Sequence, residues 1–340
     1  MYTMKSITIA ACLLLVSIIT TQISTAQSGY HLSGEYKIAS PGWWDYIAVD
    51  PASNKLYVSH GTQVNILDKN TGDSLGVIPN TKGVHGIALV PALGKGYTSN
   101  GGSHNVSVFK TATNQVIGQI ATGENPDAIF YDTYSKKIIT CNGRSKDLSV
   151  IDPATDKVVG TIAVGGKPET AVSNGQGKIY VNIEDKSEIV VIDINKMTVL
   201  AHWSIAPGES PTGLVIDTHT NRLFAGCEKK LMVVDANNGK IVADLPIEEG
   251  CDGVVIDPAL HYICTSNGVG TMTVIKEVSK DKFEVVENVP TKRGARTSCI
   301  DESTHTIYMP TANFEPMQPG EKGRPKMIPG SFQVLKIVHD

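Results

Sequence analysis

A triplet of two apolar residues followed by a polar one returns every 41 or 42 residues along this chain. It reads Ile66-Leu67-Asp68, Val108-Phe109-Lys110, Val150-Ile151-Asp152, Val191-Ile192-Asp193, Val233-Val234-Asp235 and Val274-Ile275-Lys276. A period of about 40–45 residues is the length of one four-stranded propeller blade. The expected fold is therefore all-β: a seven-bladed β-propeller of four-stranded blades. Such a fold also restricts where a site can be, because every blade sends its inner loops toward one axis.

Each repeat carries four pieces. A short apolar run comes first, as in Ile47-Ala48-Val49-Asp50, Leu214-Val215-Ile216-Asp217 and Val254-Val255-Ile256-Asp257. A polar turn leads to a second run, as in Lys55-Leu56-Tyr57-Val58 and Lys178-Ile179-Tyr180-Val181. The triplet is the third strand, and Val158-Val159-Gly160-Thr161-Ile162 exemplifies the fourth. Short β-branched runs broken by turn residues are the strand signal. Asn70-Thr71-Gly72 and Asn237-Asn238-Gly239 supply turn chemistry between strands three and four. No helical period competes with this reading.

First strands begin near Tyr46, Gly86, Ala128, Thr170, Gly213, Gly253 and Thr297, which counts seven blades. The seventh has no fourth strand after Phe332–Ile337, whereas a spare strand, Tyr30–Ile38, precedes blade one. The expectation is that this spare strand completes blade seven, which removes two open sheet edges. A closed ring of this kind is expected to be a monomer.

Residues 1–26 read as a secretory signal. Lys5 is the positive flank, Ile7 to Ile19 the apolar stretch, and Ser24-Thr25-Ala26 a small-residue cleavage site. A retained anchor and a lipid attachment at Cys12 are the alternatives. Residues 27–340 then form one propeller domain in the periplasm or outside the cell, with no membrane span after cleavage. The 340-residue chain carries a formal net charge of −4, which gives no footprint for nucleic acid. Five cysteines remain beyond the signal: Cys141, Cys227, Cys251, Cys264 and Cys299. Cys227 and Cys264 occupy near-equivalent places in neighbouring blades, so they are either a disulfide or small buried hydrophobes.

Strand alternation places the residue just before each first strand at the mouth of the central channel. That column is Asp45, His85, Asp127, Glu169, Thr212, Asp252 and Arg296. The loops from second to third strand open on the same face and add His60, Asn100, His104, Asn142, Arg144, Glu184, Asp185, Glu228, Lys229 and Asn267. Convergent polar groups at a concave axis are the default binding-site hypothesis. The Asn-Gly pairs within these loops are also turn formers, so a purely structural role stands beside the functional one. Trp43 and Trp44 precede the first strand of blade one, where they can stack on a ligand or plug the seam with blade seven.

Blade seven carries a Pro- and Gly-rich insertion over residues 312–330 on the mouth face. Lys322, Arg324 and Lys326 within it, with Lys292, Arg293 and Arg296, would form a basic patch beside an acidic channel. Loops this long in compact domains are usually functional or disordered. No Gly-x-Ser-x-Gly, His-Glu-x-x-His, phosphate-binding glycine loop or Cys-x-x-Cys-His occurs. His85, Asp127, Glu169 and Asp252 are the metal-ligand candidates, and an oxygen-rich ring suits calcium or magnesium.

Leu56-Tyr57-Val58-Ser59, Tyr97-Thr98-Ser99-Asn100 and Ile179-Tyr180-Val181-Asn182, each followed by a Val-Ile-Asp-like triplet, resemble the Tyr-Val-Thr-Asn signature of YVTN propeller repeats. The resemblance extends over the chain beyond the signal, and the repeats look like those of bacterial secreted YncE-like proteins. It implies the propeller and export, and no single activity. Phe224-Ala225-Gly226-Cys227 and Tyr308-Met309-Pro310-Thr311 depart from the signature.

Three functions fit these residues. The first is a non-enzymatic scaffold of the cell envelope whose mouth face binds a small molecule or an envelope protein. The second is a metal-assisted hydrolase or lactonase with a cation at the axis, using His60, His85, Asp127, Glu169 and Asp252. The third is a redox or electron-transfer partner, by fold analogy alone.

Overall fold

The structure is a computed structural model that describes residues 28–316 and 325–340. The signal segment lies outside the described residues, as do Lys322 and Arg324 of the insertion. Seven four-stranded antiparallel sheets surround one axis. Their inner strands are Trp44–Val49, Val84–Val90, Pro126–Asp132, Pro168–Ser173, Leu214–Asp217, Cys251–Asp257 and Cys299–Asp301. Among the described residues no helix is long and apolar enough to cross a membrane.

The ring closes as expected. Strand Tyr30–Lys37 pairs antiparallel with Gln333–His339 and forms the outer edge of blade seven, whose inner three strands come from the C-terminal end. Tyr30 is buried and its hydroxyl donates to Asp257 of blade six at 2.9 Å, so the closure also ties blade seven to its neighbour.

Part of the repeat stitches one blade to the next. A buried tyrosine stands third in the second strands: Tyr57, Tyr97, Tyr180 and Tyr308. Three of these hydroxyls reach the turn between strands three and four of the following blade. Tyr97 donates to Asp156 at 2.7 Å, Tyr180 to the Ala236 carbonyl at 2.7 Å and Tyr308 to the Lys69 carbonyl at 2.8 Å. The ring of each contributes area burial worth about 1.5–3 kcal/mol, and the hydroxyl is satisfied at the far end. Gly96 precedes Tyr97 because Phe109 packs across it; a Cβ there would lie 2.0 Å from the ring.

The five cysteines are free thiols, and the Cys227–Cys264 disulfide is not formed. Cys227 is the last residue of strand Arg222–Cys227, whereas Cys264 is the third of Tyr262–Asn267. They are three positions out of register and not equivalent. Burial pushes the Cys227 thiol up to about 12, which keeps it protonated and inert.

The inner strands begin two residues earlier than the apolar pattern indicates in most blades. Trp44 pairs with His60, Val84 with Asn100, Pro126 with Asn142 and Pro168 with Ile183 before the ladder breaks. The register then shifts, between Trp44 and Ile47, Val84 and Ile87, Pro126 and Ile129, Pro168 and Ala171, and Cys251 and Gly253. A bulge of this kind re-aims a side chain. Here it falls on Asp45, His85, Asp127, Glu169 and Asp252.

Candidate functional site

The bulges bring the predicted column together at the axis. A cavity of about 280 Å³ is lined by Trp43, Trp44, Asp45, His85, Asp127, Glu169 and Arg296, with backbone from Gly61 and Gly83. Tyr46, one residue below Asp45, extends across the axis from blade one to Thr170 of blade four, hydroxyl to hydroxyl at 3.3 Å. It gives the cup a floor beneath its ring of charges.

His85 is the hub. Its Nδ1 lies 2.5 Å from Asp45 Oδ2 and 3.5 Å from Asp127 Oδ1. The other ring nitrogen faces Gly101, where a Cβ would come within 2.6 Å of Nε2. The glycine of Asn100-Gly101 is there for this close approach, not for a left-handed backbone. Burial disfavours the charged imidazole, but the Asp45 hydrogen bond and the fields of Asp127, Asp45 and Glu169 outweigh it and raise its pKa to about 9. Asp127 is pushed well above the usual carboxylate range by burial and by the charge of Glu169, against the pull of His85. Its Oδ1 accepts no hydrogen bond from any described residue. Glu169 is also raised, by burial first, although Lys167 lies 3.1 Å from its Oε2 and opposes the shift.

The other half of the ring is closed by direct pairing. Arg296 forms an ion pair with Asp252 and lies 3.6 Å from Asp45. Thr212 donates from Oγ1 to the Cys251 carbonyl at 2.8 Å and so acts as a backbone staple. The residue pattern marks Tyr46 only as a strand start and assigns no role to Lys167. Lys167 stands two residues before Glu169, and a cation next to a mouth carboxylate was the signal that would have found it.

The second-strand loops correct the reading of the rim. Asn100, Asn142 and Asn267 are fully buried and belong to the blades. Asn142 donates to Asp147 at 2.7 Å and Ser149 at 2.9 Å, and accepts from Thr140 at 3.0 Å. Asn100 and Asn267 repeat the pattern with Thr98 and Ser107, and with Thr265 and Thr273. All three amides are consumed in joining strands two and three, so none reaches the cup. His60 is likewise buried; its Nε2 donates to the Gly42 carbonyl at 2.9 Å, Ser40 sits 2.8 Å from Nδ1, and its ring stacks on Phe332 at 3.8 Å. Burial holds its pKa below the ordinary value, so it is a neutral packing histidine. Arg144 is exposed on the rim and does not line the axial cavity.

Beside the cup, at the seam of blades one and seven, lies a second cavity of about 390 Å³. Trp43, Trp44, Phe314, Pro325, Arg293 and Arg296 line it, with glycine backbone at 250, 268 and 294. Trp43 is 44% exposed and stacks on Phe314 at 6.5 Å, while Trp44 is buried against Phe332 at 5.3 Å. In the described part of the insertion Phe314 pairs antiparallel with Met327, which delivers Phe314 to this wall. The basic patch is partly neutralised: Lys292 pairs with Glu35 at 2.7 Å, Lys326 with Glu315 at 2.9 Å, and Arg296 with Asp252.

A scan against protein-family models and a search of curated proteins returned no match. Solved structures do match. One chain of Kuenenia stuttgartiensis hydrazine synthase superposes with a TM-score of 0.70 at 18% identity, over 80% of this chain and 93% of that one. The WD40 repeats of RRP9 superpose with a TM-score of 0.74 at 11% identity, over 92% of this chain and 98% of that one. Likeness at these identities establishes the β-propeller fold and nothing finer.

Proposed function

We propose that this chain is a secreted, YVTN-type envelope propeller that binds a small planar anion on its mouth face. One observation carries the reading: the seam cavity of about 390 Å³ joins an aromatic wall, Trp43 and Phe314, to Arg293 and Arg296, the latter shared with Asp252. Its volume is in the range of small-molecule sites. Flat indole and phenyl faces favour an unsaturated ring, and guanidinium favours carboxylate, sulfonate or phosphate. The closed ring of sheets supports this role, since it anchors both ends of the turns that line the cavity. The Tyr-Val-Thr-Asn-like repeats and the N-terminal apolar stretch support export and the family.

The test uses anilinonaphthalene sulfonate and a panel of aromatic carboxylates, read by dye emission and by quenching of tryptophan fluorescence. Binding is expected, weakened about 5- to 30-fold by Trp43→Ala and by Phe314→Ala, the loss of about one to two kcal/mol that a stacked aromatic supplies. No binding by any aromatic anion, or binding unchanged in both variants, would remove this reading.

A further inference from the structure

We propose that Asp45, His85 and Asp127 form a site for one divalent transition-metal ion, zinc or manganese, at the mouth of the propeller axis. One ligand atom from each residue lies within 4.8 Å of the others. Two ligands of a tetrahedral ion, each about 2.1 Å from it, stand about 3.4 Å apart. His85 Nδ1 and Asp127 Oδ1 are already 3.5 Å apart. His85 Nδ1 and Asp45 Oδ2, at 2.5 Å, hold a proton between them. An ion taking the proton's place needs them to separate by about 1 Å, within reach of a side-chain rotation.

An independent observation points to a ligand. The Asp127 side chain is 9% exposed and faces the cup, yet its Oδ1 accepts no hydrogen bond from any described residue. A buried carboxylate oxygen without a donor is destabilising, and most such atoms in folded proteins have a partner. A cation seated between Asp127, His85 and Asp45 satisfies it. The three residues hold the same bulge position in three consecutive blades, and Gly101 fixes the imidazole edge-on to them. The site is therefore organised before an ion arrives.

The donor set selects the ion. Calcium and magnesium prefer shells of oxygen only, whereas one imidazole with two carboxylates suits zinc or manganese. Three protein ligands leave a coordination position open toward the cup. Glu169 stays with Lys167 and is not needed as a ligand.

The experiment titrates chelator-stripped full-length mature chain with zinc and with manganese by calorimetry, and repeats it with Asp127→Asn, His85→Gln, Phe314→Ala and His339→Ala. About one equivalent is expected, with affinity lowered by more than about 100-fold in the first two variants, since even outer-shell partners contribute 10–100-fold. Phe314→Ala and His339→Ala should bind as the parent does. No binding of either ion, or affinity unchanged from the parent in Asp127→Asn and His85→Gln, overturns the proposal; so does loss of binding in His339→Ala, a half-buried histidine of the last strand whose ring lies 6.2 Å from that of His305, which would place the ion there. If either ligand variant fails to fold, cobalt absorption of the parent chain decides. Weak visible bands without sulfur charge transfer support a nitrogen and oxygen site, and an intense thiolate band overturns it. Retained metal binding in Phe314→Ala separates this site from the seam cavity, so either assignment can fail alone.

Discussion

The inner strands carry carboxylates at both ends, and the two ends use them differently. On the face away from the mouth stand Asp50, Asp132, Asp217, Asp257 and Asp301. Each accepts from a turn residue two or three positions ahead: Ala52 N at 3.0 Å, Ser135 N at 2.9 Å, His219 N at 2.7 Å, Leu260 N at 3.2 Å and Ser303 N at 3.2 Å. These are side-chain-capped turns whose first donors come from the same segment, and Asp132, Asp257 and Asp301 add a partner from a neighbouring blade. At the mouth the next residues continue into the strand and offer no such donors. Asp45 and Asp127 meet His85 from another blade, and Asp252 meets Arg296. A carboxylate capped by its own turn is committed to structure. One that has no donor in its own turn and is held by a side chain of a neighbouring blade can exchange that partner for a ligand.

The strongest way to break this comparison is to open the ring. Removing residues up to Lys37 takes away the outer strand of blade seven and the Tyr30 bond to Asp257. Unfolding or self-association is expected by circular dichroism and size-exclusion chromatography, because two sheet edges become exposed. A stable monomer would refute closure as the source of ring stability.

Next in size is Asp257→Ala at the turn end. This buried carboxylate accepts from Tyr30, Leu260 and His305, the last at 2.7 Å. A loss of about 2–4 kcal/mol is expected in denaturant melts, since three donors lose one acceptor. A loss below about 0.5 kcal/mol, the size of an ordinary surface change, would show the cap to be dispensable.

Asp127→Asn at the mouth end should behave oppositely. Without added metal its stability is expected to equal the parent's or exceed it by about 1 kcal/mol, because an isosteric amide removes a buried charge facing Glu169. A loss comparable to that of Asp257→Ala would erase the distinction between the two ends.

The smallest effect is a pH dependence at the turn end. Burial, with the charge of Asp217 and a hydrogen bond to it, lifts Glu277 to about 7, against the opposing pulls of Thr220 and Arg222. The folded value lies above the unfolded one. Its stabilising contribution is therefore full below about pH 4.5 and is lost as pH rises through about 7. Melting temperature should fall between about pH 5 and pH 8, and Glu277→Gln should flatten that segment. An unchanged slope in the variant would assign the dependence to another group.

Much of this was legible in the residues, and the failures are informative. Counting back from the apolar runs found Asp45, His85, Asp127, Glu169, Asp252 and Arg296, because a repeat places equivalent residues at equivalent points. The same counting put Asn100, Asn142 and Asn267 on the rim, whereas cross-strand hydrogen bonds bury them. A spacing rule locates a residue along its strand but not the partner that turns its side chain inward. His60 failed for the same reason, its ring claimed by Phe332 from the far end of the chain.

Sequence alone determined the blade count, the ring closure and the column of residues at the mouth, since all three follow from a period and from local strand and turn preferences. Tertiary structure alone decided which carboxylates are spoken for, which face one another across the axis, and that Tyr46 floors the cup. The reason is that charge compensation and burial are set by through-space distances between blades, and no local pattern along the chain encodes them.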